Sequence, residues 1–220
     1  MSRPPLVQRV EYILSQCEGK RVLHLGCTNW PYTEDSLSQG TLLHSAIRER
    51  CSELYGIDED EAGLDLLRQK GFENLYAANL EKLEDCEITS TFDLVIAGEM
   101  IEHLNNPGLF LNGVKRFLEP ESVLLITTVN AYCFIRALLY AFKGQGGENE
   151  PVHPDHVAYY SYSTLKLLLK RHGFERTEIL FYDIGSEHRP HNRWLVNLAN
   201  DAAVRLFPQL SDGLIARCRL

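Results

Sequence analysis

Short apolar runs alternate along the chain with segments whose apolar residues recur at helical spacing. Runs that indicate buried strands lie at 21–25, 54–57, 75–78, 92–97, 123–128, 174–182 and 213–219. Segments of helical spacing lie at 6–16, 35–50, 61–70, 107–118, 131–142, 163–171 and 193–206. Near-continuous apolar strands joined by helices are typical of a parallel sheet covered on both faces. The pattern predicts a doubly wound α/β fold with a mostly parallel, seven-stranded sheet.

The segments around this pattern set the expected domain organisation. A chain of 220 residues without repeats predicts one domain over 1–220. We expect an N-terminal helix within 1–18, and an antiparallel arrangement of the last two strands at one edge of the sheet. The stretch 144–154 contains three glycines and two prolines among acidic residues. This composition predicts a mobile loop, and we expect 143–156 to form a lid.

Charge and cysteine usage narrow the class of protein. The net charge of −8 argues against a nucleic-acid partner, because surfaces that bind nucleic acid are usually basic. Apolar runs fall far short of the roughly 20 residues that a membrane helix needs, and the N-terminus shows no signal-peptide pattern. The six cysteines include no CxxC pair, which favours reduced thiols in a cytoplasmic protein.

Candidate ligand-binding residues come where the first two predicted strands end. In doubly wound folds the ligand lies beyond the carboxyl ends of the strands. Gly26 ends the first strand and allows the backbone to approach a ligand closely, and Asp58 ends the second, where an acid can accept hydrogen bonds from ribose. The pair suggests an adenosine-containing cofactor, although a structural turn and a solvated acid would give the same pattern. The absent GxGxxG fingerprint disfavours a nicotinamide-dependent oxidoreductase.

Further segments carry a family resemblance. Residues 92–107, FDLVIAGEMIEHLNNP, resemble the fourth motif of class I S-adenosylmethionine-dependent methyltransferases. Residues 22–27 resemble their first motif, 56–58 their ribose-binding acid, and 78–81 the segment that edges the adenine. Residues 156–174 are similar to the later part of the small-molecule methyltransferases of the ubiquinone-biosynthesis type.

The resemblance implies a cofactor, a reaction and a binding site. It implies that S-adenosylmethionine donates a methyl group to a small-molecule acceptor, at an oxygen atom. The implied cofactor-binding residues are Gly26, Cys27, Thr28, Asp58, Asn79, Leu80 and Gly98. The chain departs from the family where His24 replaces an acid and where Thr28 and Trp30 replace glycines. The cofactor is then held mainly by backbone groups, Asp58 and Asn79, or else the protein is a non-catalytic binding module.

Two histidines are candidates for the catalytic base. Methyl transfer to an oxygen requires alignment of the partners and removal of a proton near neutral pH, for which histidine is well suited. His103 follows the fourth predicted strand, and His156 ends the predicted lid. The alternatives are that His103 packs a helix and that His156 orients the loop.

A metal site is the second interpretation of the same segment. Glu99, Glu102 and His103 fall at i, i+3 and i+4, one face of a helical turn, and His153 or His156 would complete the set. Small-RNA 2′-O-methyltransferases of this fold hold magnesium with a similar Glu-x-x-Glu-His and a downstream His. We expect no metal, because hard cations prefer sites with more carboxylates.

Overall fold

The computed structural model describes residues 5–143, 155–183 and 194–220. Its strands are β1 Leu6–Val7, β2 Arg21–Leu25, β3 Glu53–Asp58, β4 Leu75–Ala77, β5 Phe92–Gly98, β6 Leu118–Val129, β7 Arg176–Tyr182 and β8 Gly213–Arg219. They form an eight-stranded sheet in the order β1-β7-β8-β6-β5-β2-β3-β4. The α-helices are α1 Arg9–Cys17, α2 Thr33–Gln39, α3 Leu43–Arg48, α4 Glu61–Gln69, α5 Pro107–Gly113, α6 Phe134–Lys143, α7 Tyr162–Arg171 and α8 Trp194–Leu206. The predicted α/β class and mostly parallel sheet are confirmed.

The sheet has one strand more than predicted. Leu6 and Val7 pair in parallel with Phe181 and Tyr182 on β7, so the helix expected from residue 6 begins only at Arg9. β8 runs antiparallel to both β6 and β7, as expected of the last two strands, while the other strand pairs are parallel. The seven-strand count was wrong because a two-residue edge strand leaves no periodic signal.

The helix predicted at 35–50 is two helices. Gly40 adopts a φ of +68° and donates its N–H to the Leu37 and Ser36 carbonyls, which ends α2, and α3 starts at Leu43. A left-handed glycine is a common helix stop. The helix predicted at 107–118 likewise ends early: α5 stops at Gly113, a 3₁₀ turn follows at Val114–Phe117, and β6 starts at Leu118.

The core lies on both faces of the sheet. Residues 22–25 of β2 are all buried, and alternate side chains point to opposite faces. Leu23 and Leu25 pack in one apolar cluster, and Val22 packs in the other. Two-sided burial explains why the strands are continuous apolar runs, and it leaves the strand ends as the places for polar chemistry. Among the described helices, none is both long and apolar enough to cross a bilayer.

Candidate active site

The turn after β2 is held by the strand beside it. Gly26 has a φ of +70°, a conformation that glycine adopts without strain. The N–H groups of Gly26 and Cys27 both donate to the Ile57 carbonyl, at 2.9 and 3.3 Å. The Thr28 N–H donates to Asp58 Oδ2 at 2.9 Å. The three backbone donors of this turn are therefore used within the protein, and its carbonyl groups are what the backbone offers a ligand.

The Asp58 carboxylate is surrounded by donors of its own chain. Oδ2 accepts both the amide and the hydroxyl of Thr28, each at 2.9 Å, and Oδ1 accepts the amide of Asp60 at 3.0 Å. Asp58 is partly exposed at the end of β3, where the sequence places it for ribose binding. Thr28, in the position of a family glycine, thus locks the turn to the acid.

The residue in place of the family's acid, His24, is paired with another histidine. His24 Nδ1 and His44 Nδ1 are 3.1 Å apart, and both side chains are buried. Burial lowers the pKa of His24 well below its ordinary value and that of His44 to about 3. One Nδ1 must carry a hydrogen and the other must accept it, and the lowered pKa values keep both rings neutral near pH 7, so the pair does not replace the charge of an acid.

The segment after β4 presents the other predicted cofactor-binding residues. Asn79 is exposed, and its Oδ1 accepts the amide of Glu81 at 2.7 Å. Leu80 is buried, and Cys27 is also fully buried, with its Sγ against Gly56. Glu81 accepts the amide and Nδ2 of Asn106, at 2.9 and 2.8 Å, which ties this segment to the start of α5. The Ala78 amide, just before Asn79, donates to the Asp58 carbonyl at 3.0 Å and so joins this segment to the end of β3, whereas Cys27 offers only its backbone.

The chain turns sharply after β5. Glu99, directly after Gly98, has a φ of +54°, which is unusual for a residue with a side chain. Its N–H donates to the carbonyl and the hydroxyl of Thr127, at 3.0 and 3.1 Å. Its Oε1 accepts a 2.6 Å hydrogen bond from the hydroxyl of Tyr182, whose pKa burial raises. These bonds hold Glu99 over the ends of β6 and β7.

Glu102, His103 and His156 converge beyond the end of β5. One ligand atom from each lies within 4.8 Å of the others. The His103 and His156 rings are 4.6 Å apart and nearly perpendicular. The amides of Val157 and Ala158 donate to the Glu102 carbonyl, at 2.9 and 3.2 Å, and so attach the segment of His156 to the turn that carries His103.

Glu102 is the buried member of this cluster. Its Oε2 accepts the hydroxyl of Thr128 at 2.9 Å. Oε1 has no hydrogen-bond partner among the described residues. Burial, together with the charge of Glu99, raises the pKa of Glu102 to about 8. A carboxyl group that is easily protonated thus lies beside two imidazoles.

Only some of the histidines and acids predicted from the sequence lie close together in the structure. It brings His103, His156 and Glu102 together, but Glu99 bonds to Tyr182 instead of joining that cluster. His153 and residues 144–154 of the expected lid lie outside the described residues. Sequence reasoning missed Thr128 and Tyr182. Thr127 and Thr128, at the end of the apolar run of β6, were a signal for a polar contact there. Tyr182 gave no such signal, because it ends an apolar strand as one more aromatic residue after Phe181.

Comparison with known proteins assigns the chain to a family. Residues 5–179 match the model of a family described as a methyltransferase domain. The chain belongs to this methyltransferase family. A ubiquinone biosynthesis O-methyltransferase from Hahella chejuensis is 31% identical over 117 residues, which are 51% of this chain and 44% of that protein. One of the same name from Haemophilus ducreyi is 28% identical over 133 residues, 56% of this chain and 52% of that protein. The matches span about half the length of these curated relatives.

Solved methyltransferase structures share the fold. A SAM-dependent methyltransferase from Archaeoglobus fulgidus aligns over 96% of this chain and 91% of its own, with a TM-score of 0.61 and 18% identity. The magnesium protoporphyrin IX methyltransferase from Synechocystis PCC 6803, solved with bound SAH, aligns over 96% and 82%, with a TM-score of 0.57 and 12% identity. The resemblance to methyltransferases drawn from residues 92–107 is thereby confirmed, and the nicotinamide-dependent alternative is not supported.

Proposed function

We propose that this methyltransferase transfers a methyl group from S-adenosylmethionine to an oxygen atom of a small molecule. The observation that carries the proposal is the meeting of Glu102, His103 and His156 at the end of β5, the strand that pairs with β2. Proton-accepting groups then lie next to the Gly26 turn. The names of the relatives from Hahella and Haemophilus support an oxygen acceptor.

The residues at the strand ends fit such a cofactor. Asp58 Oδ1 accepts one hydrogen bond from its own chain and has room for a ribose hydroxyl. Leu80, 7% exposed, offers a purine a small apolar contact, and the exposed Asn79 next to it in the chain has a donor in its Nδ2 group. Carbonyl groups of the Gly26 turn, and Gly98, complete the set around an amino-acid moiety. When bound, S-adenosylmethionine supplies an electrophilic methyl group on a positively charged sulfur.

The chain then has two tasks, to place the acceptor and to take its proton. His103 is on a turn fixed to β5, and we assign it the role of base. His156, 4.6 Å away ring to ring, orients the hydroxyl or receives the proton next. Buried Glu102, whose pKa of about 8 keeps it mostly protonated near neutral pH, adds a hydrogen-bonding carboxyl group beside these rings without a full negative charge.

Replacement of His103 tests the assignment. The His103→Ala variant should turn over at least about 10²-fold more slowly, with almost unchanged affinity for S-adenosylmethionine, because a base acts in the transition state. His172→Ala is the matched control, since His172 bonds to Asn112 away from the cluster. Turnover is measured as methyl release to a panel of catechols and phenols. Full activity of His103→Ala would transfer the role to His156 and refute this assignment.

A metal-dependent version of the reaction has one observation in its favour. Glu102, His103 and His156 offer a carboxylate and two imidazoles within 4.8 Å, a donor set that suits Zn²⁺, Mn²⁺ or Fe²⁺ more than Mg²⁺. These residues would hold the ion, which would supply a Lewis acid that lowers the pKa of the acceptor hydroxyl. Activity that a chelator abolishes and added metal restores, with Glu102→Gln as damaging as His103→Ala, would establish this version against the metal-free one.

The remaining expectations are tested by binding and turnover together. Calorimetric binding of S-adenosylmethionine without methyl release to any acceptor would favour the non-catalytic module, and binding of NAD alone would refute the cofactor. A metal-dependent enzyme acting on RNA is the other alternative, and the acidic net charge disfavours it. The cytoplasmic location stays a prediction.

A further inference from the structure

The carboxylate of Asp58 already accepts three hydrogen bonds from its own chain. We propose that Asp58 recognises only one of the two ribose hydroxyls of the cofactor, through Oδ1, and that Thr28 is the positioning residue that imposes this choice. The inference rests on the proposed function, because it requires an adenosyl cofactor at the end of β3. It concerns which hydroxyl of the ribose Asp58 binds in this chain.

The inference follows from counting acceptor positions. An ionised carboxylate has about four lone-pair positions, two on each oxygen. The amide and hydroxyl of Thr28 occupy both positions of Oδ2, and the amide of Asp60 occupies one of Oδ1. One position remains, on Oδ1. A vicinal diol that binds through both hydroxyls needs one free position on each oxygen, so the second hydroxyl of the ribose finds no acceptor on Asp58.

The surroundings hold in place the groups of Thr28 and Asp60 that donate to Asp58. The turn that carries Thr28 is anchored on Ile57 by two amide hydrogen bonds. Helix α4 presses on it from the other side: a Cβ at Gly63 would lie 2.8 Å from Thr28 Cγ2 and 2.2 Å from Asp60 Oδ2. Neither the Thr28 methyl group nor the Asp60 side chain has space to move toward α4.

The hydrogen bond from the Thr28 hydroxyl to Asp58 depends on a side chain that a glycine lacks. Thr28 stands where the related motif has a glycine, and its hydroxyl takes the acceptor position that a second ribose hydroxyl would use. A ribose hydroxyl would gain the same kind of bond to Oδ2, but it would have to displace the Thr28 hydroxyl and leave that group without its acceptor. On this view the lost glycine fixes which ribose hydroxyl is read, and does not impair the site.

Affinities for deoxy analogues test the inference. Binding of S-adenosylhomocysteine and of its 2′-deoxy and 3′-deoxy analogues is measured by calorimetry on the full chain, as wild type, Thr28→Val and Thr28→Ser. For wild type, one analogue should bind roughly tenfold or more weakly than the parent compound, and the other should bind almost as well. Thr28→Val frees a position on Oδ2 and should bring the two analogues closer together in affinity. Thr28→Ser keeps the hydroxyl and should keep the wild-type ratio.

The ratio between the two analogues separates positioning from general stability. A merely structural role of Thr28 would weaken all three compounds alike and leave the ratio unchanged, which would overturn the role of Thr28. Equal losses for both analogues on the wild type would overturn the single-hydroxyl readout, and this result stands even if Thr28→Val fails to fold. Failure of S-adenosylhomocysteine to bind at all would refute the proposed function and, with it, this inference.

Discussion

Replacing both buried histidines, as His24→Leu with His44→Leu, should make the free energy of unfolding less sensitive to acid. In the folded protein burial lowers the pKa of both rings, that of His44 from 6.5 to about 3. In the unfolded chain both regain an ordinary pKa near 6.5. Below about pH 6.5 the two histidines bind protons in the unfolded chain but stay neutral in the folded protein. The stabilisation from the neutral pair is therefore complete above the unfolded pKa and is lost as the pH falls.

The size of the effect follows from proton linkage. A histidine that titrates with a pKa of about 6.5 when unfolded and stays neutral when folded destabilises the fold by about 2 kcal/mol between pH 7 and pH 5. Two such histidines give about 4 kcal/mol. The second protonation also has a geometric cost, because with both rings protonated both Nδ1 atoms are donors and the 3.1 Å hydrogen bond between them is lost.

Urea denaturation at several pH values between 7.5 and 5 measures this dependence. The double variant should lose about 4 kcal/mol less than wild type between pH 7 and pH 5, since the contribution of carboxylates is common to both proteins. At pH 7, His24→Leu alone should cost about 1–3 kcal/mol by leaving His44 Nδ1 buried without its partner. An unchanged pH dependence in the double variant would show that the pair does not control acid stability.

Other substitutions test the contacts around the site. Tyr182→Phe removes the 2.6 Å hydrogen bond to Glu99 and should lower the free energy of unfolding, measured by urea denaturation, by about 1–3 kcal/mol. An unchanged free energy of unfolding would mean that Glu99 had found another donor. Arg136→Ala leaves the mostly buried Asp212 without its 2.7 Å ion pair and should cost about 3 kcal/mol or more. Arg50→Ala is the control, because Arg50 pairs with Glu18 at an exposed site and its loss should cost less than about 1 kcal/mol. Equal losses for the two variants would refute the burial argument.

Local sequence signals predicted most of the fold. The apolar runs of β2, β5 and β8 are continuous because both faces of the sheet are covered, and each predicted strand is present. The errors lie where tertiary contacts decide. Leu6 and Val7 continue a helical spacing but pair with β7, and Gly40 divides a helix whose apolar spacing runs on across the break.

The strand-end residues of the site were predictable one by one, whereas the meeting of Glu102, His103 and His156 followed from the sequence only within the metal interpretation, which also included Glu99. Gly26 and Asp58 follow from where strands end, because local sequence fixes that point. The approach of His156 to His103 depends on two amides that bond to the Glu102 carbonyl, which no spacing reveals. The hydrogen bond from Thr28 to Asp58 was not predictable either, since a threonine in a loop does not indicate which strand lies beside it.

The position of β8 between β6 and β7 bears on when the protein becomes competent during synthesis. In the described sheet β7 reaches β6 only through β8, and β1 is attached only to β7. Cotranslational folding can therefore assemble β2 to β6, with the Asp58 and His103 ends, while residues 213–219 are still in the ribosome. β7, which carries Tyr182, and β1 beside it can join β6 only through that last segment. β7 and β8 can join the sheet only after translation has passed Arg219. A chain stalled before that point would therefore lack the hydrogen bond from Tyr182 to Glu99.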